Sequence, residues 1–461
     1  MTASGRTTGA LGAPAVAGTR EANVAERAYA KVTRRLMPFL GASYLIAYLD
    51  RVNISFAKLH MLADLGLSEA AYGFGAGVFF VGYFLFEVPS NLALHRVGAR
   101  LWIARIMVTW GLVSGAMAFT GPLAELTGLG ADTVFYGLRF LLGIAEAGFF
   151  PGVLLYLNYW YPSHRQSRAV AWLLAAQPLS FVVGAPVSGA IMQSFGGAGG
   201  LYDWQWLFLL EAAPAILLGI GVAFYLTNGI DDSSWLGGDD RRLLKERLAA
   251  EGETKRDYSL RVLLSVKALW LFTAVYLLIV MGVYGINFWL PSLIQQSGVA
   301  SLLSIGWITA LSYLASAVLA VLVSRRAERR NEKRWHAACA AALGGGSLAL
   351  SALFADSTAL TVALVTLAST GGLVCMALFW SFPGSILTGV GVAAGLAAIN
   401  SVGNLGGFFG PYLLGGLTDW LGSTGGGIAI LGGCMIIAGG LIAVACKDYG
   451  VQSSRSSPHG R

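Results

Sequence analysis

Charge is what this chain has little of. Only 12% of its 461 residues are Asp, Glu, Lys or Arg, while 56% are hydrophobic; a soluble domain carries about 25% charged residues. A soluble globular protein is excluded. Cysteine is also scarce: Cys339, Cys375, Cys434 and Cys446 lie in apolar stretches without C-x-x-C spacing, which excludes a disulfide framework and a zinc site. The five histidines (His60, His95, His164, His336, His459) are scattered over span ends, loops and the tail, so neither a metal cluster nor an intramembrane histidine relay is expected. No G-x-x-x-x-G-K-[ST] occurs, so ATP is not a visible energy source. No nucleophile–base–orienter set stands out either, and neither an enzyme nor a cofactor is expected. Residues 1–33 are rich in Ala, Gly and Thr, lack the apolar core of a secretory signal, and are expected to form a disordered cytoplasmic arm.

Long apolar runs are abundant. Segments of about 20 residues are long enough to cross a hydrocarbon core of about 30 Å as helices. They fall at 36–57, 72–94, 101–120, 133–157, 168–192 and 204–227, then at 267–294, 302–323, 335–354, 358–381, 390–416 and 426–446. An all-α membrane protein with twelve transmembrane helices follows. The formal net charge of +7 would suit a nucleic-acid partner if read alone, but the positions of the charges decide otherwise. With the N-terminus inside, 28 of the 31 Lys and Arg residues fall on the inner side, Lys58 alone falls outside, and Arg51 and Arg139 lie within spans. By the positive-inside rule both termini are cytoplasmic, and no nucleic acid is expected.

The two halves echo each other. "FFPG" (149–152) ends the fourth span and "SFPG" (381–384) the tenth, while "GAPVSG" (184–189) in the fifth is matched by "GPYLLG" (410–415) in the eleventh. Two matches at nearly one offset indicate duplicated six-helix bundles, as in many secondary transporters. The expected division is an arm at 1–33, a first bundle at 34–227, a central loop at 228–266, a second bundle at 267–447 and a cytoplasmic tail at 448–461. Gly403, Gly406, Gly407 and Gly410 form small-x-x-x-small pairs that let helices approach closely.

The stretch "YLDRVNIS" (48–55) places an aspartate, an arginine and an asparagine inside a span. A charge at bilayer depth costs at least about 2.5–3.5 kcal/mol, so it usually faces an interior, finds a partner and serves a function. At about 1.5 Å per residue, Arg51 and Arg139 lie about 8–9 Å below the outer edge of the hydrocarbon, level with each other. Glu146 follows Arg139 by two turns on the same helix face. Tyr44, Tyr48 and Arg51 share one face of the first helix. An arginine fork matches a carboxylate bidentately, so Arg51 reads either as a carboxylate receptor or as a partner for Asp50 or another buried acid.

Four longer runs, "YLDRVNISFA", "GYFLFEVPSN" (82–91), "RFLLGIAEAGFFPG" (139–152) and "INSVGNLGGFFGPYLLG" (399–415), are similar to the anion:cation symporter family of the major facilitator superfamily, whose members include bacterial permeases for tartrate, phthalate and sugar acids. The likeness covers about residues 34–447 and is nearest to the tartrate type. The superfamily's G-x-x-x-D-R-x-G-R-R loop is here "NLALHRVGAR" (91–100), which keeps Arg96, Gly98 and Arg100 but has Asn91 and His95 in place of the glycine and the aspartate.

That resemblance implies the major facilitator fold and an inner-membrane transporter importing a small carboxylate with protons. It implies substrate contacts from Tyr48, Arg51, Tyr83, Gln177, Trp380 and Asn400, with Asn404 one turn beyond. Asp50 and Glu146 are implied as the proton-coupling acids, with Arg139 as their partner. Burial raises a carboxyl's pKa and a neighbouring arginine lowers it; opposed in this way, they can bring titration near neutrality. A permanent ion pair for Asp50 and a packing hydrogen bond for Glu146 are the alternatives. Glu87 reads as structural or gating, and Glu211 as a family feature outside the site. Asp50, Arg51, Arg139 and Glu146 sum to zero with both acids ionised and to +2 with both protonated, so an anion binds best to the protonated site. An exchanger, an efflux carrier or a non-transporting carboxylate receptor is the competing reading, and a monomer is expected.

Overall fold

In lipid every backbone N–H and C=O must find its partner inside the protein, and apolar runs of this length answer with helices. The computed structural model describes residues 13–250, 265–383 and 392–446. Among them are sixteen α-helices: α1 (Ala13–Leu65), α2 (Glu69–Val97), α3 (Ala99–Ala116), α4 (Thr120–Thr127), α5 (Ala131–Glu146), α6 (Phe149–Asn158), α7 (Ser163–Phe195), α8 (Asp203–Tyr225), α9 (Gly238–Ala249), α10 (Lys267–Gln296), α11 (Leu302–Arg329), α12 (Lys333–Ser351), α13 (Thr358–Phe379), α14 (Val392–Gly403), α15 (Gly406–Leu421) and α16 (Thr424–Ala445). Local chemistry starts several of them. Ser68 caps α2 by accepting from Ala71 N at 3.1 Å, Ser301 caps α11 from Ser304 N at 3.3 Å, and Glu332 caps α12 from Trp335 N at 3.0 Å; each satisfies an N–H that the first turn leaves free.

Ten segments among the described residues are long and apolar enough to cross a membrane. Of the other two expected spans, 36–57 falls within α1, and the described part of 390–416, from residue 392, falls on the α14–α15 pair. "SFPG" ends at Gly384, outside the described residues, as does the tail from Lys447. The central loop expected at 228–266 contains α9, and its residues 251–264 lie outside the described set.

The expectation of a disordered arm is corrected over residues 13–33, which are helical and continuous with the first span. At about 1.5 Å per residue the 53 residues of α1 run about 80 Å, far beyond a hydrocarbon core. Ala25, Ala28, Tyr29, Val32 and Leu36 are buried, a helical stripe that the Ala-rich composition disguised. The extension is pinned to the rest of the first half. Arg165 grips Glu26 through two nitrogens, one at 3.1 Å, Tyr29 stacks on Tyr161 at 6.1 Å, and Lys31 pairs with Asp240 at 2.7 Å. The Glu26 carboxyl is held below the usual range by the hydrogen bond and charge of Arg165.

Within the first half α3 packs on α8, α2 on α5, and α1 on α7 and α8; within the second, α12 packs on both α13 and α16. The halves meet where α2 packs on α15 and α7 on α11. Backbone carries much of this packing. A Cβ at Gly345 would strike the carbonyl oxygen of Gly432, and a Cβ at Gly432 that of Gly345, so the α12–α16 crossing has no room for a side chain. Gly406 and Gly410 likewise lie against the backbone of α10, as the small-residue spacing led one to expect.

The face opposite the termini is latched across the halves. Lys58 on α1 pairs with Glu69 at 2.7 Å and sits 4.1 Å over the Trp289 ring of α10, while Trp289 Nε1 donates to the same carboxylate at 3.2 Å. Asp419 of α15 accepts from the N–H groups of Glu69 and Ala70 at 3.2 and 2.8 Å, capping α2 from the other half. Tyr72 donates to Phe288 O at 3.2 Å, and Gln193 accepts from Ser301 at 2.9 Å. Lys58, which the loop count set outside, is buried to 3% exposure.

Overpacking a filled crossing costs about 1–3 kcal/mol. Gly345→Leu should therefore lower the thermal midpoint in detergent by several degrees, whereas Gly346→Leu, at a position with open space around it, should leave it within about a degree. A matched pair of fluorescence-detected melting curves checks this.

Candidate functional site

The fourth span is not one helix. α5 ends at Glu146, Ala147 turns to φ −54°, ψ 133°, and Gly148 takes φ 81° before α6 starts at Phe149. Only glycine occupies that left-handed region without penalty, and the space there is filled by Ser90 of α2. The break leaves Glu146 on the last turn of α5, facing α1. There Arg51 Nη2 donates to Glu146 Oε1 in an ion pair; the side chains are 14% and 3% exposed. Arg51 is thus partnered by Glu146 and not by Asp50.

The guanidinium lies in an aromatic cage. Its Cζ stands 4.6 Å from the Tyr48 ring, 5.4 Å from Phe79 and 6.0 Å from Tyr83, and Tyr284 of α10 lies beside it from the second half. Its Nε has no hydrogen-bond partner. A buried fork with an idle donor can take a carboxylate oxygen. Tyr44 is buried and meets Tyr48 edge-on at 5.1 Å, which makes it a support for the cage.

Asp50 faces the other way. Adjacent residues on a helix are about 100° apart, so α1 turns Arg51 to the cleft between the halves and Asp50 into the first half. Asp50 Oδ1 accepts from Ser114 Oγ at 2.7 Å and from Asn53 Nδ2 at 3.0 Å. The permanent ion pair considered for it is absent among the described residues. Arg139 was expected to partner the acids. It is 1% exposed, and its hydrogen bonds run instead to the carbonyls of Gly75 and Ala76, at 3.2 and 3.3 Å. The Gly-rich stretch of α2 leaves that backbone open to it. Arg139 shares the Phe79 ring with Arg51, at 5.2 Å, which places the two arginines beside one another as expected.

A separate group lies where the halves meet at the α7–α11 crossing. Gln177 lines a cavity of about 20 Å³ with Phe181, Asn287, Tyr313 and Ser369, room for a single water molecule, and Tyr313 donates to Asn287. Trp380 lies edge-on to Tyr276 at 4.9 Å, and Gly403 packs on that Tyr276 ring, one turn from Asn400. Asn404 follows Asn400 by one turn, its N–H bonding Asn400 O at 2.9 Å, and the α14–α15 break falls there. Trp380 therefore stands at the Tyr276 ring, and Gln177 lies apart from it with Asn287 and Tyr313. Asn287, Tyr276 and Tyr284 were missed; a lone amide in "GINFWLP" and tyrosines spaced by two turns were the available signals. Glu87 accepts from Ser401 Oγ at 3.5 Å across the halves, in keeping with a structural or gating part.

A groove of about 990 Å³ runs between α1 and α7 on the side of the termini. Arg34, Arg165 and Arg168 line its mouth and Trp172 its wall, and it reaches Leu45, one turn short of Tyr48.

The family model described as Major Facilitator Superfamily matches residues 40–411. A protein of Agrobacterium vitis named "Putative tartrate transporter" is 44% identical over 414 residues, covering 89% of this chain and 93% of its own. A quinolone resistance transporter of Acinetobacter baumannii is 39% identical over 87% of this chain and 90% of its own. Among solved structures, a D-xylose–proton symporter superposes with a TM-score of 0.70 at 15% identity, covering 89% of this chain and 97% of the other; that likeness establishes the fold.

Lysine cannot reproduce a guanidinium's two parallel donors. Arg51→Lys should therefore weaken carboxylate binding by at least tenfold although the charge is kept, as read by calorimetry on the purified protein. Binding within about threefold of wild type would remove Arg51 from the receptor role.

Proposed function

The chain belongs to the major facilitator superfamily, and on that premise we propose that it imports a small organic anion, a hydroxy-diacid such as tartrate or a related sugar acid, by proton symport through alternating access. It is a multi-pass membrane transporter and not an enzyme. On this reading it lies in the inner membrane with both termini cytoplasmic, works as a monomer, and has bundles at 34–227 and 267–447 that rock about the cleft. The lysine and arginine asymmetry supports the orientation, and the tartrate-type relative supports the substrate class.

One observation carries the mechanism: Arg51 is already bound by the Glu146 carboxylate. A substrate carboxylate and the ionised Glu146 compete for one guanidinium. A proton on Glu146 removes its charge, weakens the pair and leaves Arg51, with its idle Nε, to the incoming anion. Loss of that proton restores the pair and expels the substrate. Proton and anion therefore raise each other's affinity, which is the thermodynamic requirement for symport. The hydroxyls of Tyr48 and Tyr83 suit a hydroxylated substrate, and the basic groove beside α1 offers an anion a path to the cytoplasm. With the opposite face latched across the halves by the contacts of Glu69 with Trp289 and Asp419, the conformation corresponds to the inward-facing limb of the cycle.

Export or exchange is the second reading, and the quinolone resistance relative supports it. Uptake of labelled tartrate and sugar acids into proteoliposomes separates the two. An inward proton gradient should drive accumulation several-fold above equilibrium in wild type. Glu146→Gln, a permanently neutral side chain, should lose that accumulation while retaining counterflow. Exchange that is indifferent to the gradient would favour the second reading.

Affinity should also rise as pH falls from about 8 to 6, for a substrate whose own carboxyls stay ionised throughout. A tenfold gain corresponds to about 1.4 kcal/mol of coupling, within the usual 1–3 kcal/mol. Calorimetric titration of Glu146→Gln should give a flat line over the same range.

A further inference from the structure

Asp419 stands where its own helix does not favour an acid. It lies in the last turn of α15, which ends at Leu421 and has no basic residue in that turn. A helix C-terminus carries partial negative charge and favours a cation. The carboxylate is instead used across the cleft, at the opposite kind of helix end. Asp419 Oδ1 accepts from Glu69 N at 3.2 Å and Oδ2 from Ala70 N at 2.8 Å, while Ala71 N donates to Ser68 Oγ at 3.1 Å. The first turn of a helix leaves such N–H groups without partners of its own. Of the three in α2, one is satisfied locally and two by the other half of the molecule.

A glycine seam sets this register. A Cβ at Gly73 would strike the carbonyl oxygen of Pro411, one at Gly77 that of Phe408, and one at Gly415 that of Glu69, so α2 and α15 touch backbone to backbone. Gly415 precedes Asp419 by one turn, and Glu69 precedes Gly73 by one turn. Closing the seam therefore brings the carboxylate onto the N–H groups, and opening it parts them. The Lys58–Glu69 pair behaves differently: it joins α1 to α2 within the first half and moves with that half as a unit. Trp289 Nε1 to Glu69 and Tyr72 to Phe288 O, both at 3.2 Å, do cross the boundary, but each is a single bond from a neutral donor. Asp419 crosses it with a carboxylate engaged through both oxygens, and hydrogen bonds to a charged group are the stronger kind.

We infer that Asp419 is the bolt of the gate opposite the termini: a helix cap supplied by the second half, engaged in this conformation and withdrawn when that face opens. Withdrawal returns the carboxylate and the two N–H groups of α2 to water, so the cap biases the equilibrium toward the closed face without forbidding the open one. A group shifts such an equilibrium only by the difference in its interactions between the two states, and Asp419 has that difference built in. The inference rests on the proposed rocking of the halves and on nothing about substrate or protons.

Double electron–electron resonance on the reconstituted full chain, without substrate, tests it. Spin labels go on cysteines introduced at Leu126 and Leu353, exposed positions of the two halves on that face, with Cys339 and Cys434 replaced by serine. Gly415→Trp, which wedges the seam, defines the distance of the open face. Asp419→Ala should populate that longer distance about tenfold more than the unaltered gate does, equivalent to about 1.4 kcal/mol. Asp419→Asn, which keeps the shape and one acceptor, should fall between the two, and it decides alone if the alanine variant fails to fold. Asp356→Ala removes an acid from an exposed turn on the same face and should change nothing. A distribution unmoved by either Asp419 variant while the wedge variant shifts overturns the bolt and leaves alternating access standing. A shift as large in Asp356→Ala reveals a general charge effect and also overturns it. A wedge variant that does not lengthen the distance shows that the halves do not rock, and then the bolt and alternating access fall together.

Discussion

A charge inside an apolar bundle must be answered by an opposite charge or by hydrogen bonds, and at Arg51 it is the Glu146 carboxylate that answers. Removing one partner of a buried pair costs about 3–5 kcal/mol, because the survivor keeps the desolvation penalty without the attraction. The local architecture follows from holding the two together. α5 must stop at Glu146 for the carboxyl to face α1, which requires the left-handed Gly148, and α6 then restarts the span. The Gly-rich face of α2 lets α5 approach closely enough for Arg139 to use the backbone of α2, and that keeps a second cation beside the first without a second anion in the cleft.

The neighbouring pair Asp50–Arg51 shows how one helix can serve two compartments. One residue of rotation separates a side chain that lines the cleft from one that lies inside the first half. Arg51 is exchangeable: its partner is a carboxylate from another helix, and its surroundings are aromatic rings that attract a cation without fixing its orientation. Asp50 is held by hydroxyl and amide donors and has no opening to the cleft. Two acids that the sequence places near one arginine therefore have different surroundings, Glu146 at Arg51 and Asp50 among Ser114 and Asn53.

Hydropathy made the spans legible because apolar length is a local property, and the in-span charges drew attention to Arg51, Glu146, Asp50 and Arg139 for the same reason. What it could not supply was pairing. Whether Arg51 meets Asp50 or Glu146 depends on helix rotation and on the break at Ala147–Gly148, which a continuous apolar run conceals. Lys58 illustrates the same limit: counted as a loop residue, it is buried against Trp289, a ring 231 positions away in sequence. Gln177 belongs with Asn287 and Tyr313 because of the α7–α11 crossing, and nothing in its own surroundings announces that. In the N-terminal extension, composition misled. Alanine is small enough to bury and is the best helix former, so "AERAYAKV" is a packed helix where Ala and Gly together suggested disorder.

The latch fixes what the other conformation has to provide. Lys58, Glu69, Trp289 and Asp419 join α1, α2, α10 and α15 at one face, and opening that face would expose a lysine and a glutamate that are now paired on an aromatic ring. The ion pairs near the termini, Glu26 with Arg165 and Lys31 with Asp240, lie within the first half and its adjoining loop, so they cannot close the opposite gate between the halves. Glu87 with Ser401 is a polar contact that crosses on that side. An outward-facing state must therefore be held by other contacts near the termini or by what occupies Arg51. A ligand shifts such an equilibrium only by its difference in affinity between the two states. In the proposed cycle, the competition between Glu146 and the substrate for one guanidinium is where that difference arises.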